Sequence, residues 1–245
     1  CIRDRYILII GSIVALVFLA VAGNEKRAAA GLTRQNWKSA VLIVLAFVGI
    51  YIVRTVVSVA VQGVSDGSGM QHVKEWAAMF KNPMMWLNIA ALPINYFFVF
   101  IAFFGEEYGW RYYLQPVLQK RFGLRAGVII LGIVWGLWHI PDDLFYYTQT
   151  SGIQMIFAQQ ITCISLGIFF AYAYMKTQNI LVPVCLHYLN NNLIPIISGT
   201  FSADVLENQT VSWKDLPVAL VLNGLCFGFF LLADVFKKKE VQEEE

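Results

Sequence analysis

Apolar runs, each close to twenty residues long and separated by short polar breaks, fill most of the 245-residue chain. They fall at about 6–23, 39–62, 84–105, 126–147, 153–175, 179–197 and 216–236, with turn residues or charges such as GNEKR, GSG, KNP and KDLP between them. A hydrocarbon core about 30 Å thick takes roughly 20 helical residues to cross, and no water there can satisfy a stray backbone group. The pattern therefore predicts an all-α fold, a polytopic transmembrane helical bundle of about seven helices. The sixth and seventh runs are strong by composition. The third is expected to continue past Glu106 toward Pro116, with its helix starting nearer Leu92 or Pro93 than Met84. Between the second and third runs, QHVKEWAAMF sets Val73, Trp76 and Phe80 at i, i+3 and i+7, the pattern of an interfacial helix or of an ordinary loop helix.

Composition agrees with the pattern. Hydrophobic residues make up 58% of the chain and charged ones 14%, with a mean hydropathy of +0.60; an average soluble domain is roughly 25% charged. The net charge of +2 gives no reason to expect a nucleic-acid partner. The partners expected are membrane lipid and a peptide or membrane-proximal protein. If the spans alternate, eleven Lys and Arg collect on one side and five on the other, with Arg54 and Arg111 inside spans. The richer side should be cytoplasmic, which places the C-terminal tail KKKEVQEEE inside. Cys1, Cys163, Cys185 and Cys226 form no CxxC pair and read as thiols rather than bridges or ligands. The chain opens on Cys1 rather than methionine, so further sequence upstream is expected, and the absence of a small-residue cleavage site after the first run argues against a secretory signal.

Ionisable groups at membrane depth are costly and mark functional sites by default. Setting Arg54 aside, three groups stand out: Glu106, Glu107 and Arg111; His139 with Asp142 and Asp143; and His187 with Asn190, Asn191 and Asn192. Glu107 and Arg111, Trp135 and His139, and His187 and Asn191 are each four apart, hence on one face of a helix. Glu106 lies about 100° round from Glu107, so Glu107 can pair with Arg111 while Glu106 stays unpaired. Two imidazoles and a carboxylate that converge can activate water for attack on a carbonyl. Either the carboxylate acts alone as general base, or Glu106, His139 and His187 hold a zinc ion that acidifies its water. An asparagine can donate to the oxyanion that develops. Nucleophilic-serine chemistry is weaker, since there is no GxSxG, and HExxH is absent too.

EEYGWR (106–111), WGLWH (135–139) and HYLNN (187–191) read in order as EExxxR, aromatic-xxx-His and HxxxN. Together they resemble the CPBP (CAAX protease and bacteriocin-processing, Abi) family of intramembrane proteases, which includes the type II CAAX prenyl endopeptidases. The resemblance implies a four-helix catalytic core and an intramembrane endopeptidase acting near the cytoplasmic face. In it, Glu106 would be the water-activating base and His139 would hold the water or a metal. His187 and Asn191 would stabilise the oxyanion, and Glu107 with Arg111 would orient the site. Trp135 stands where the family commonly has Phe. Zinc and a metal-free mechanism both stay open, as do a non-proteolytic immunity or scaffold role on the same fold and proton-coupled transport. The expected division is an N-terminal part over 1–83, a catalytic bundle over 84–236 and a charged tail over 237–245.

Overall fold

A computed structural model of the protein describes residues 36–64, 67–199 and 203–237. The regular structure there is entirely helical, as the apolar runs predict. In order it comprises α1 (Trp37–Gln62), α2 (Gly69–Met79), α3 (Pro83–Glu107), a π-helical stretch (Tyr108–Leu114), α4 (Gln115–Phe122), α5 (Leu124–Trp138), α6 (Ile140–Phe145), α7 (Gly152–Thr177), α8 (Leu181–Ser198), α9 (Ala203–Glu207) and α10 (Asp215–Cys226). Two 3₁₀ turns, Gly228–Leu232 and Asp234–Phe236, follow. The expected first span, Cys1 and residues 238–245 of the tail lie outside the described residues.

Among the described residues, four helical runs are long and apolar enough to cross a membrane: Trp37–Gln62, Pro83–Phe122, Leu124–Phe145 and Gly152–Thr177. The sixth and seventh runs do not qualify, which corrects the expectation. α8 has 18 residues, but His187 and Asn190 to Asn192 dilute its apolar character. α10 stops after 12 residues and gives way to 3₁₀ geometry at Phe227, between Gly224 and Gly228; glycine is a poor helix former. The third helix also differs from expectation. It starts at Pro83, because the Asn82 side chain accepts the Met84 N–H at 3.0 Å and proline at the first helical position loses no bond there. It then continues to Phe122 as a single run of 40 residues. Glu106 and Glu107 are therefore near the middle of a long rod, even though the apolar run ends beside them.

α7 is the centre of the bundle: 44% of its apolar window is buried, against 6% for Pro83–Phe122. It packs on α5, α1, α8 and α10. The α5 contact is backbone-close, since a Cβ on Gly132 would lie 2.6 Å from the Ile164 Cα; small residues let membrane helices approach in this way. The turn between α4 and α5 needs Gly123, whose φ is +87°. On the other side of α7, Phe47 of α1 sits 5.6 and 6.0 Å from the rings of Phe169 and Phe170, and 5.8 Å from Phe227. α2 forms where the Val73, Trp76 and Phe80 pattern predicts a helix, and the Trp76 indole donates to the Ile197 carbonyl at the end of α8 (2.8 Å).

Candidate active site

The stretch FFGEEYGWRYYL has two distinct sides. One carries a ladder of rings at i, i+4 spacing, Phe100, Phe104, Tyr108 and Tyr112, with successive centroids 5.5, 5.3 and 4.4 Å apart. On the other side Glu107 and Arg111 are fully buried. The helix changes from α to π winding directly after Glu107; such wide turns are rare and frequent at functional sites.

Glu107 bridges two helices. Its Oε1 is 2.9 Å from Nδ1 of His187 on α8, and its Oε2 is 3.2 Å from Nε of Arg111. The second contact is within ion-pair reach but is not aligned as a hydrogen bond, and the Arg111 nitrogens have no hydrogen-bond partner. The guanidinium lies instead 4.9 Å over the Trp135 ring and 5.4 Å over Phe170, where the negative faces of the rings attract it. His187 is buried among Phe103, Trp135 and Phe170, with centroids at 5.0, 5.4 and 6.2 Å. Glu106 is half-buried and makes no hydrogen bond or ion pair among the described residues, yet it is near enough for its charge to act on His187 and Arg111.

His139 is set by a helix break. α5 ends at Trp138, two residues upstream of the segment IPDD, and Pro141 brings no N–H to continue the ladder. The His139 amide then bonds to Gly136 (3.1 Å), three residues back. The Trp135 carbonyl, left over by that shift, accepts Nδ1–H of the His139 ring at 2.8 Å. A carbonyl only accepts, so Nδ1 carries the proton and Nε2 is left with a lone pair. Trp135 also links the two histidines, with its ring 5.8 Å from His139 and 5.4 Å from His187. Asp143 is fully buried with neither carboxylate oxygen hydrogen-bonded, and Asp142 is half-buried.

Asn191 is exposed on α8. Its Oδ1 accepts from Asn190 (2.8 Å), which leaves its own Nδ2 free to donate. It lines a cleft of about 350 Å³ between α3 and α8, together with Asn88, Asn95, Asn192 and Leu206. Glu107, Arg111 and His187 are thus in direct contact, Glu106 is adjacent, His139 reaches them through Trp135, and Asn191 opens on the cleft. Asn190 and Asn192 join helices, as their positions suggest: Tyr51 of α1 donates to Asn190, and Asn95 of α3 donates to Asn192 (3.1 Å). Tyr51 and Asn95 carry no motif; the only sequence signal for them is a polar side chain within an apolar run.

A zinc ion would need Glu106, His139 and His187 together. Each histidine engages Nδ1, one with a carbonyl and one with Glu107, which is the outer bond that a zinc-ligating imidazole usually makes and leaves Nε2 as the ligand atom; among the described residues, however, no three His, Cys, Asp or Glu side chains gather to hold a metal. The residue types suit zinc but are not gathered into one cluster, and no step below passes through the ion. Cys163, Cys185 and Cys226 are free thiols.

Residues 87–193, from α3 to α8, match the model of the family described as type II CAAX prenyl endopeptidase, Rce1-like. This segment resembles that family. The match contains the three motifs, while Tyr51 and Leu206 lie outside it. A CAAX prenyl protease 2 from Methanococcus maripaludis is 28% identical over 125 residues, which is 47% of this chain and 45% of that relative. The alignment thus spans about half the length of the curated relative. No solved structure matches the chain. With four long apolar helices among its described residues, the chain is a membrane protein.

Proposed function

We propose that the protein is an intramembrane endopeptidase of the CAAX type, hydrolysing a peptide bond in a prenylated protein or peptide at the membrane, with Glu106 as the base. The observation that carries this reading is the division of labour between adjacent acids: Glu107 is spent on Arg111 and His187, while Glu106 is unspent beside them. Water held between Glu106 and the Nε2 lone pair of His139 gives a proton to Glu106, and the hydroxide attacks the scissile carbonyl. The oxyanion accepts from Asn191 Nδ2 and from Nε2–H of His187, whose protonated ring is matched by the Glu107 carboxylate. Glu106 then returns the proton to the departing amine, and the C–N bond breaks. Arg111 compensates the Glu107 charge from its seat on Trp135 and Phe170. The match to the CAAX endopeptidase family and the name of the archaeal relative support the substrate class.

The test is cleavage of paired peptides, with and without a prenylated cysteine near the C-terminus, by the protein in lipid vesicles. Turnover of the prenylated peptide by the native protein, and turnover lowered about 10³-fold in Glu106→Gln, is expected. No turnover by a folded native sample overturns the reading in favour of a non-proteolytic role.

A further inference from the structure

Arg54 is eighteen residues into α1, about 12 Å short of the helix end at 1.5 Å per residue, and belongs to none of the three motifs. Its Nε donates to Oδ1 of Asn223 on α10 at 2.8 Å, and its Cζ lies 5.8 Å from the Tyr51 ring. No carboxylate pairs with it among the described residues. A cation at membrane depth is normally paired, because its desolvation is expensive, and an amide oxygen with a ring face does not cancel a full charge. The second observation comes from Asn223. It is 2% exposed, and its Nδ2 has no hydrogen-bond partner. Amide orientation is not in question, since Nε of Arg54 must face the oxygen. A cation without a carboxylate therefore meets a buried N–H that has nothing to donate to among the described residues, and a buried donor left so costs about 1–3 kcal/mol. Such a corner lacks an anion.

The corner is wired to the site. One turn before Arg54, Tyr51 donates to Asn190, and Asn190 donates to Asn191 (2.8 Å), the residue that opens on the cleft. Arg54 and Asn223 are not among the residues lining that cleft, so the anion would be the far end of a molecule that lies along Asn191 and follows this line of side chains. Building on the protease reading above, we propose that Arg54 and Asn223 anchor the C-terminal α-carboxylate of the substrate. The guanidinium supplies the charge and Asn223 Nδ2 a directed N–H, so the enzyme measures its cleavage position from the chain end. Both residues lie outside the Rce1-like segment 87–193, so the anchor is built by helices that flank it.

The experiment uses the full chain in phosphatidylcholine vesicles and two prenylated peptides that differ only in ending as a free acid or a carboxamide. The native protein should prefer the acid by about 10- to 100-fold in kcat/KM, through KM, as expected for a hydrogen-bonded charge. Arg54→Gln should abolish the preference while leaving turnover of the amide unchanged, and Arg54→Lys should keep part of it. Three results overturn the anchor: equal cleavage of acid and amide by the native protein, an equal loss on both peptides in Arg54→Gln, or a preference that disappears when phosphatidylglycerol is added, which would make a lipid phosphate the occupant. If the native protein cleaves neither peptide, the protease reading falls. The anchor is then still decided by binding of the same labelled peptides, with an acid-over-amide preference lost in Arg54→Gln supporting it and equal binding overturning it.

Discussion

Arg54 and Arg111 both lie well inside long helices, and their surroundings differ. Arg111 is completely buried, in ion-pair reach of Glu107 and laid on two aromatic rings. Arg54 is half-buried, meets one amide oxygen and the Tyr51 ring, and has no acid paired with it among the described residues. A charge paired on its own helix one turn away is part of the architecture, since the two groups desolvate together and orient a third, His187. A charge whose only polar neighbour also has an unspent donor is a place for something that arrives later. The same distinction separates Glu107 from Glu106, one residue apart.

The comparison can be broken most forcefully at Glu107. Its replacement by alanine leaves Arg111 buried without a counter-charge and should cost about 3–5 kcal/mol, read as a lowered unfolding temperature in detergent together with loss of cleavage. Glu107→Ala combined with Arg111→Leu should recover most of that stability and none of the activity; recovered activity would place the pair outside the mechanism. Glu106→Gln should lower kcat about 10³-fold, within the range for a lost general base, while the unfolding temperature stays at the native value. Asn191→Ala should lower kcat about 10²-fold with little change in KM, the usual cost of one oxyanion donor; a pure KM effect would make it a substrate-binding residue. The smallest effect is expected from Arg54→Gln on stability, within about 1 kcal/mol in thermal unfolding, because no ion pair is lost. A large destabilisation there would make Arg54 structural, like Arg111.

Much of this was legible from residue spacing, for reasons that also explain what was missed. Four-residue intervals predict the Glu107–Arg111 contact and the shared face of His187 and Asn191, because helical geometry is local. That His187 would take the other oxygen of Glu107 is a contact between residues 80 apart, and spacing says nothing about it. Pro141 falls inside the expected run 126–147 and breaks it for want of an N–H, but the use of the freed Trp135 carbonyl to fix the His139 ring follows only from the hydrogen-bond geometry. Counting apolar residues ends the third run beside Glu106, since it tracks hydropathy; the expected continuation toward Pro116 is met and passed, the helix persisting to Phe122 with Arg111 and Gln115 turned inward. The same counting overrated α8, whose polar stripe is what the site needs, and the region after Cys226, where 3₁₀ turns replace the helix.

The π-helical stretch has a consequence for how the long third rod is read by its neighbours. A winding of more than 3.6 residues per turn across Tyr108–Leu114 turns everything downstream relative to a continuous α-helix. Upstream, the rod presents Glu107 to α8; downstream, it presents Gln119 to the Leu124 carbonyl and the Met175 sulfur. One helix thereby keeps two appointments that a straight α-helix would hold on different bearings. Removal of a single residue between 108 and 114 would re-phase the downstream half by about 100°, so this segment should tolerate substitution far better than any change in length.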